Sequence, residues 1–161
     1  MSAISVGGPA LETVIRKVLA IGADDAIRID AEPSDSFGVA SAIAEYAKDK
    51  GYDLILTGKE TIDYNGSEVG GMLAELLGLP FVSLASKLDL SEGKVVLETA
   101  AEGGLEIVTA PLPCVISAAK GMAEARIPNM RGIMAARTKP IEVAAGNAPA
   151  LVHHCLRPAA G

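Results

Sequence analysis

Asp53-Leu54-Ile55-Leu56-Thr57, followed by Gly58-Lys59-Glu60-Thr61-Ile62-Asp63-Tyr64-Asn65-Gly66-Ser67-Glu68-Val69-Gly70-Gly71, is the stretch that decides the fold. Its first five residues read as a strand that is apolar on both faces, the pattern of a strand buried on both sides in a parallel sheet. A glycine-punctuated loop, residues 58–66, leads into a helix near residues 67–77, which Gly78 and Pro80 close. Another strand follows at 81–84. A strand, a helix and a second strand within about 30 residues make a βαβ unit.

The same alternation extends towards the N-terminus. Residues 3–6 form a short apolar run that ends in Gly7-Gly8-Pro9. Pro9 suits the first turn of a helix, where its missing N–H costs nothing. Leu11, Val14, Ile15, Val18 and Leu19 then follow the spacing of an amphipathic helix, which Gly22 stops. Residues 26–29 read as a second strand. Ser34 or Ser36 can cap a second helix with Val39, Ile43, Tyr46 and Ala47 on its apolar face, and Gly51 ends it.

Beyond Ala85 the pattern changes. Residues 87–90, the turn Ser91-Glu92-Gly93 and residues 94–99 read as a hairpin. Glu102-Gly103-Gly104 is a second tight turn before strands at 105–109 and 113–117. The expected fold class is α/β: an open, mostly parallel sheet with flanking helices, followed by an antiparallel meander. Residues 119–139 are polar, and the chain beyond Val143 reads as a loose tail.

Composition narrows the function. The chain has 161 residues, enough for one domain, and half of them are hydrophobic. A net charge of -6 argues against a non-specific nucleic-acid binder and against a polybasic membrane-surface protein. Three Tyr, two Phe and no Trp give few platforms for base stacking. No apolar run approaches the roughly 18 residues of a membrane span. The first residues are too short and uncharged a stretch for a signal peptide. Cys114 and Cys155 lack a metal-ligand spacing, so a reducing, cytoplasmic setting is expected.

The loop is the best candidate for chemistry. It leaves the C-terminal end of a parallel strand and enters a helix N-terminus, where ligands of open α/β sheets bind. Free N–H groups there favour a phosphate, Gly66, Gly70 and Gly71 permit close backbone approach, and Ser67 adds a hydroxyl. The alternative is an ordinary strand-to-helix loop with Ser67 as the cap. It is not a P-loop, because no Gly-Lys-Ser/Thr follows the glycines. Asp63 reads as a general base or as a loop residue. Cys114 reads as a core residue, and His153, His154 and Cys155 as a solvated tail. No residues stand out as catalytic or as metal ligands, so the chain reads as a binder or carrier. Lys120, Arg126, Arg131, Arg137 and Lys139 among Met122, Ile127, Met130, Ile133 and Met134 suit an adaptable docking surface, or a surface helix with scattered charges.

Three ordered motifs resemble the β subunit of electron transfer flavoprotein. They are Gly58-Lys59-Glu60-Thr61-Ile62-Asp63 through Met72, Glu102-Gly103-Gly104-Leu105-Glu106 followed by Pro113, and Glu124-Ala125-Arg126-Ile127-Pro128-Asn129-Met130-Arg131-Gly132-Ile133-Met134. Leu19-Ala20-Ile21-Gly22-Ala23-Asp24 is similar too. The resemblance implies an adenine-nucleotide alpha-hydrolase-like sheet over residues 1–143 and a divergent, disordered tail at 144–161. It implies a heterodimer with an α subunit that holds most of the FAD. That pair would carry electrons from dehydrogenases, such as acyl-CoA dehydrogenases of fatty acid β-oxidation, to a quinone oxidoreductase of the respiratory chain. The β subunit itself would bury AMP. By motif, Val6, Gly58, Lys59, Ile62, Asp63, Tyr64, Asn65, Gly66, Ser67, Glu68 and Val69 would line the AMP site. Glu124, Arg126, Met130 and Arg131 would dock the dehydrogenase.

The resemblance has departures. Asp63-Tyr64-Asn65-Gly66-Ser67-Glu68-Val69 lies between the family's AMP-binding form and the form that holds a second FAD. Thr99 stands where the family's signature turn has a basic residue. The family also opens with a strand and helix before what is here Ala3, so an N-terminally truncated β subunit is expected. The strands at Ala3 and Asp53 must then pair directly or leave open edges. The competing readings are an adenine-nucleotide module without redox work and an inactive fragment.

Overall fold

A computed structural model describes residues 1–61 and 65–150. In chain order the elements are β1 (Ser2–Val6), a 3-10 turn (Pro9–Leu11), α1 (Glu12–Ile21), β2 (Asp25–Asp30), α2 (Ser36–Ala47) and β3 (Leu54–Gly58). Then come α3 (Val69–Leu77), β4 (Phe81–Ser91), β5 (Lys94–Ala101), β6 (Gly104–Pro111), β7 (Cys114–Ala118), α4 (Met130–Thr138) and β8 (Ile141–Ala145).

α1 and α2 form where their apolar spacing predicts, and α4 lies in the stretch read as a docking surface or a surface helix. Ile15 and Leu19 of α1 are buried, with Leu11 and Val18 packed beside them, and Gly22 ends the helix at φ 127°. Val14, at the margin of that stripe, stays exposed. The cap of α2 is Asp35 rather than Ser34 or Ser36: its carboxylate accepts from the Gly38 N–H at 2.7 Å. A carboxylate does this with a charge that also suits the positive end of the helix. Ala40, Ala42, Ala44 and Ala47 are buried along α2, and such short side chains let the helix lie close to its neighbours on two sides.

The strands form two sheets. One is parallel, in the order β1-β2-β8. The other runs β3-β7-β4-β5-β6; its β3, β7 and β4 are parallel, and β4, β5 and β6 form the antiparallel meander. The α/β class with a meander therefore holds. The expected strands at 81–84 and 87–90 are one strand. A left-handed Leu84 (φ 57°) and an irregularity between Ala85 and Lys87 turn it from its parallel partner to its antiparallel one. β8 was not foreseen, because its five residues follow Pro140 with no clear alternation. It carries ordered structure past Val143, and Gly146 lies against Ile29.

α1 and α4 cover one face of the β1-β2-β8 sheet, around Ala3, Ala26 and Ile141. α2 covers the other, around Ile4, Val6, Ile27 and Ile29. α2 also packs on α3 and Ile55, so it straddles the two sheets. The phenol of Tyr46 on α2 is pushed up to about 12 by burial and by its hydrogen bond to the Glu142 carboxylate on β8. Among the described residues no hydrogen bond joins β1 to β3, so of the two expected outcomes the open edges are the one found there.

Candidate functional site

The loop after β3 closes on itself. The Thr61 N–H donates to the Gly66 carbonyl at 2.9 Å, and the Gly66 N–H donates back to Thr61 Oγ1 at 3.2 Å. Asn65 adopts φ 51°, a left-handed conformation that asparagine tolerates. A Cβ on Gly66 would lie 3.7 Å from Ser36 Oγ, so the neck of the loop rests beside the first turn of α2. Gly58, Lys59 and Glu60 are exposed, and the Lys59–Glu60 ion pair at 3.6 Å is a surface pair of small energetic weight. Ile62, Asp63 and Tyr64 lie outside the described residues, as do His153, His154 and Cys155.

Ser67 is exposed and is not the cap of α3. Glu68 holds that position, and no side chain among the described residues caps the helix. The first-turn N–H groups of α3 thus have no side-chain partner among the described residues. Gly70 sets the helix close to the sheet: a Cβ there would come within 2.6 Å of Thr57 Oγ1 and 3.0 Å of the Phe81 ring. Val69, the first residue of α3, packs against the cluster of Ala40 and Ala44 of α2 and Leu73 of its own helix. Val6 sits at the end of β1, under α2, with Ile27 and Ile29. The buried Arg28 holds the chain after Val6, donating to the Gly7 carbonyl at 2.9 Å and to Asp30 at 2.6 Å. Val6 and the loop thus stand at the C-terminal ends of the two edge strands β1 and β3.

The second candidate region is polar on its surface and firmly seated below. Glu124, Arg126, Met130 and Arg131 are all exposed. Met130 is 74% exposed and Ile127 is 89% exposed, so the apolar side chains project outward. Asn129 caps α4 through the Gly132 N–H at 2.8 Å. Gly132 passes directly against the Ala20 carbonyl of α1 and leaves no room for a Cβ. Arg16 reaches from α1 to the Ala136 and Lys139 carbonyls at 2.7 and 2.5 Å, where it satisfies the negative end of α4. Between α1 and α4 lies a cavity of about 650 Å³, lined by Glu12, Arg16, Lys17, Pro128, Ile133 and Arg137 among others. The anchoring role of Arg16 was not read from the sequence, where it is one cation on the polar side of a stripe.

Cys114 is fully buried in β7, and burial pushes its thiol up, as fits a core residue. Among the described residues no three His, Cys, Asp or Glu side chains gather as a metal site, and no helix is long and apolar enough to cross a membrane.

The family model for the electron transfer flavoprotein domain matches residues 1–149. The chain belongs to the electron transfer flavoprotein family. Electron transfer flavoprotein subunit beta of Bacillus subtilis is 35% identical over 146 residues, which are 88% of this chain and 57% of that protein. The Syntrophomonas wolfei protein of the same name is 37% identical over 90% of this chain and 58% of its own length. The human one is 34% identical over 88% and 57%. The chain therefore spans a little over half the length of these curated relatives. Electron transfer is the shared theme of their names, and the resemblance drawn from the loop, the turn and the Glu124–Met134 motif holds.

Proposed function

We propose that this chain is an electron-carrier subunit of an electron transfer flavoprotein rather than an enzyme in its own right. It would pair with an FAD-bearing α subunit, accept electrons from dehydrogenases such as acyl-CoA dehydrogenases and pass them to a quinone oxidoreductase. FAD, shared with and held mainly by the α subunit, supplies the electron-accepting chemistry when bound. The chain's own task is to hold AMP and to present a docking face. The folded body, which runs past Val143 through β8, carries both. A cytoplasmic setting follows from the same reading.

One observation carries the reading: within a chain matched to this family, the loop after β3 ends at a helix that no side chain among the described residues caps and whose first turn contains Gly70 and Gly71. A phosphate suits such amides, because each unpaired N–H and the helix dipole favour an anion. The residues fit AMP in that sense. The N–H groups at the start of α3 and the Ser67 hydroxyl would hold its phosphate. Val6 and the loop residues Gly58, Lys59, Ile62, Asp63, Tyr64, Asn65, Gly66, Glu68 and Val69 would surround the rest. An adenine-nucleotide module without redox work would use the same loop, but it has no use for the exposed Ile127 and Met130.

The test is reduction of a reconstituted heterodimer by an acyl-CoA dehydrogenase, followed by flavin bleaching, with AMP binding measured by calorimetry. Both are expected. AMP binding without any dehydrogenase-linked bleaching would favour the plain nucleotide module.

A further inference from the structure

The cavity between α1 and α4, of about 650 Å³, has the size of a small-ligand site, and no residue of the loop after β3 lines it. Its shape is fixed by contacts within the chain. Gly132 brings α4 onto the Ala20 carbonyl of α1, and Arg16 ties the two helices together again through the Ala136 and Lys139 carbonyls. The deeper lining is apolar: Ala136 is buried, and Ala20 and Ile133 are half-buried.

The charge around the cavity is one-sided. Lys17 and Arg137 are exposed, and neither makes an ion pair or a side-chain hydrogen bond among the described residues. Both hydrogen bonds of Arg16 leave from Nη1, so its Nε and Nη2 keep their donors. Glu12 is the one carboxylate of the lining, and its charge is already matched from beneath. Its Oε1 lies 3.7 Å from Nε of Arg28, a buried nitrogen with no hydrogen-bond partner among the described residues. A buried guanidinium nitrogen left without such a bond is costly unless a carboxylate offsets its charge. Three cations therefore border an apolar cavity with no free carboxylate among them.

We propose that this cavity binds a small amphiphilic anion, an apolar chain or ring that carries one carboxylate or phosphate. The apolar part lies on Ala20, Ile133 and Ala136, where it leaves water. The head meets Lys17, Arg137 and the spare donors of Arg16, whose planar fork suits either oxyanion. A cationic head would meet like charges, and a neutral one would leave the cations unmatched. The site shares no residue with the nucleotide loop and stands apart from the reading given for it.

The test uses the whole chain and probes that share an octyl tail, below their micelle concentrations: nonanoate, octyl phosphate, octyl glucoside and octyltrimethylammonium. Inorganic phosphate serves as the head alone. Affinity is measured by calorimetry, and the site is located by amide shifts in NMR spectra. One or both of the tailed anions should bind about tenfold or more tightly than the glucoside, the ammonium and inorganic phosphate. The two anions separate a carboxylate site from a phosphate site. Shifts should centre on Lys17, Ala20, Ile133 and Ala136. Lys17→Gln and Arg137→Gln alter exposed side chains and should each weaken the anion about tenfold, since each removes a charge-assisted contact. Lys94→Gln, on β5, should leave affinity unaltered. Four outcomes would overturn the proposal: no binding of either tailed anion, equal binding whatever the head, shifts centred on residues 66–69 or on β1 and β3, or unaltered affinity in both cavity variants.

Discussion

The loop between β3 and α3 and the segment running into α4 are both exposed and polar, yet they are built in opposite ways. The loop closes through its own Thr61 and Gly66 and presents backbone: glycines and a helix start that no side chain among the described residues caps. The α4 segment is tied down by another element through Arg16 and Gly132, and it presents side chains, Ile127, Met130 and Arg131. Backbone amides suit a small anion whatever side chains surround them. Projecting apolar and cationic side chains suit a protein surface. The difference teaches where each function is vulnerable: the first to added charge or bulk in the loop, the second to loss of its foundation.

The largest effect should come from that foundation. Arg16→Leu removes two charge-assisted hydrogen bonds and leaves the Ala136 and Lys139 carbonyls without them. A loss of about 2–3 kcal/mol in unfolding free energy is expected in denaturant titration. If stability is unaltered, α4 is not held as described and the contrast between the two regions weakens.

Met130→Ala sharpens the contrast from the other side. Met130 is the first residue of α4 and is 74% exposed, so its removal should leave the melting temperature alone. Burial of one methionine at an interface is worth roughly 1.5–3 kcal/mol, or about 10- to 100-fold in affinity. Dehydrogenase-linked reduction of the heterodimer should weaken by that range. A lower melting temperature with unaltered electron uptake would make Met130 a packing residue and overturn the docking role proposed for it.

Ser67→Asp addresses the loop and should have the smallest effect. Two unit charges about 4 Å apart at an effective dielectric near 20 repel by roughly 4 kcal/mol as an upper bound. Position 67 is exposed, so screening reduces this to about a tenfold loss of AMP affinity. Unchanged affinity in calorimetry would move the phosphate away from the start of α3.

Much of this was legible in the sequence for physical reasons that can be named. The stripe from Leu11 to Leu19 carries the period of an amphipathic helix, and the apolar run Leu54-Ile55-Leu56 marks a strand, although that strand lies at a sheet edge with Leu56 exposed rather than buried on both faces. The loop could be placed because glycines bound it on both sides. Three features were not legible. The run through Leu84 and Ser86 looks like a break because local pattern does not register a strand that changes partner along its length. β8 is short, and its place beside β2 is decided by tertiary pairing. The anchoring of α4 depends on Arg16, 120 residues from Ala136 in sequence, and no local signal marks such a contact. The open edges of β1 and β3 were foreseen only as one of two outcomes, since pairing across a gap depends on what the covering helix permits.

The central claim is that this chain works as one half of an electron-carrying pair, and an absorbance spectrum tests it most directly. The chain is purified alone and after co-expression with an electron transfer flavoprotein α subunit, and the flavin band is measured per mole of chain. No flavin is expected in the chain alone, and a co-purifying yellow complex with stoichiometric flavin is expected when the α subunit is present. A colourless chain that fails to co-purify with the α subunit, or a stoichiometric flavin spectrum from the chain by itself, would contradict the claim.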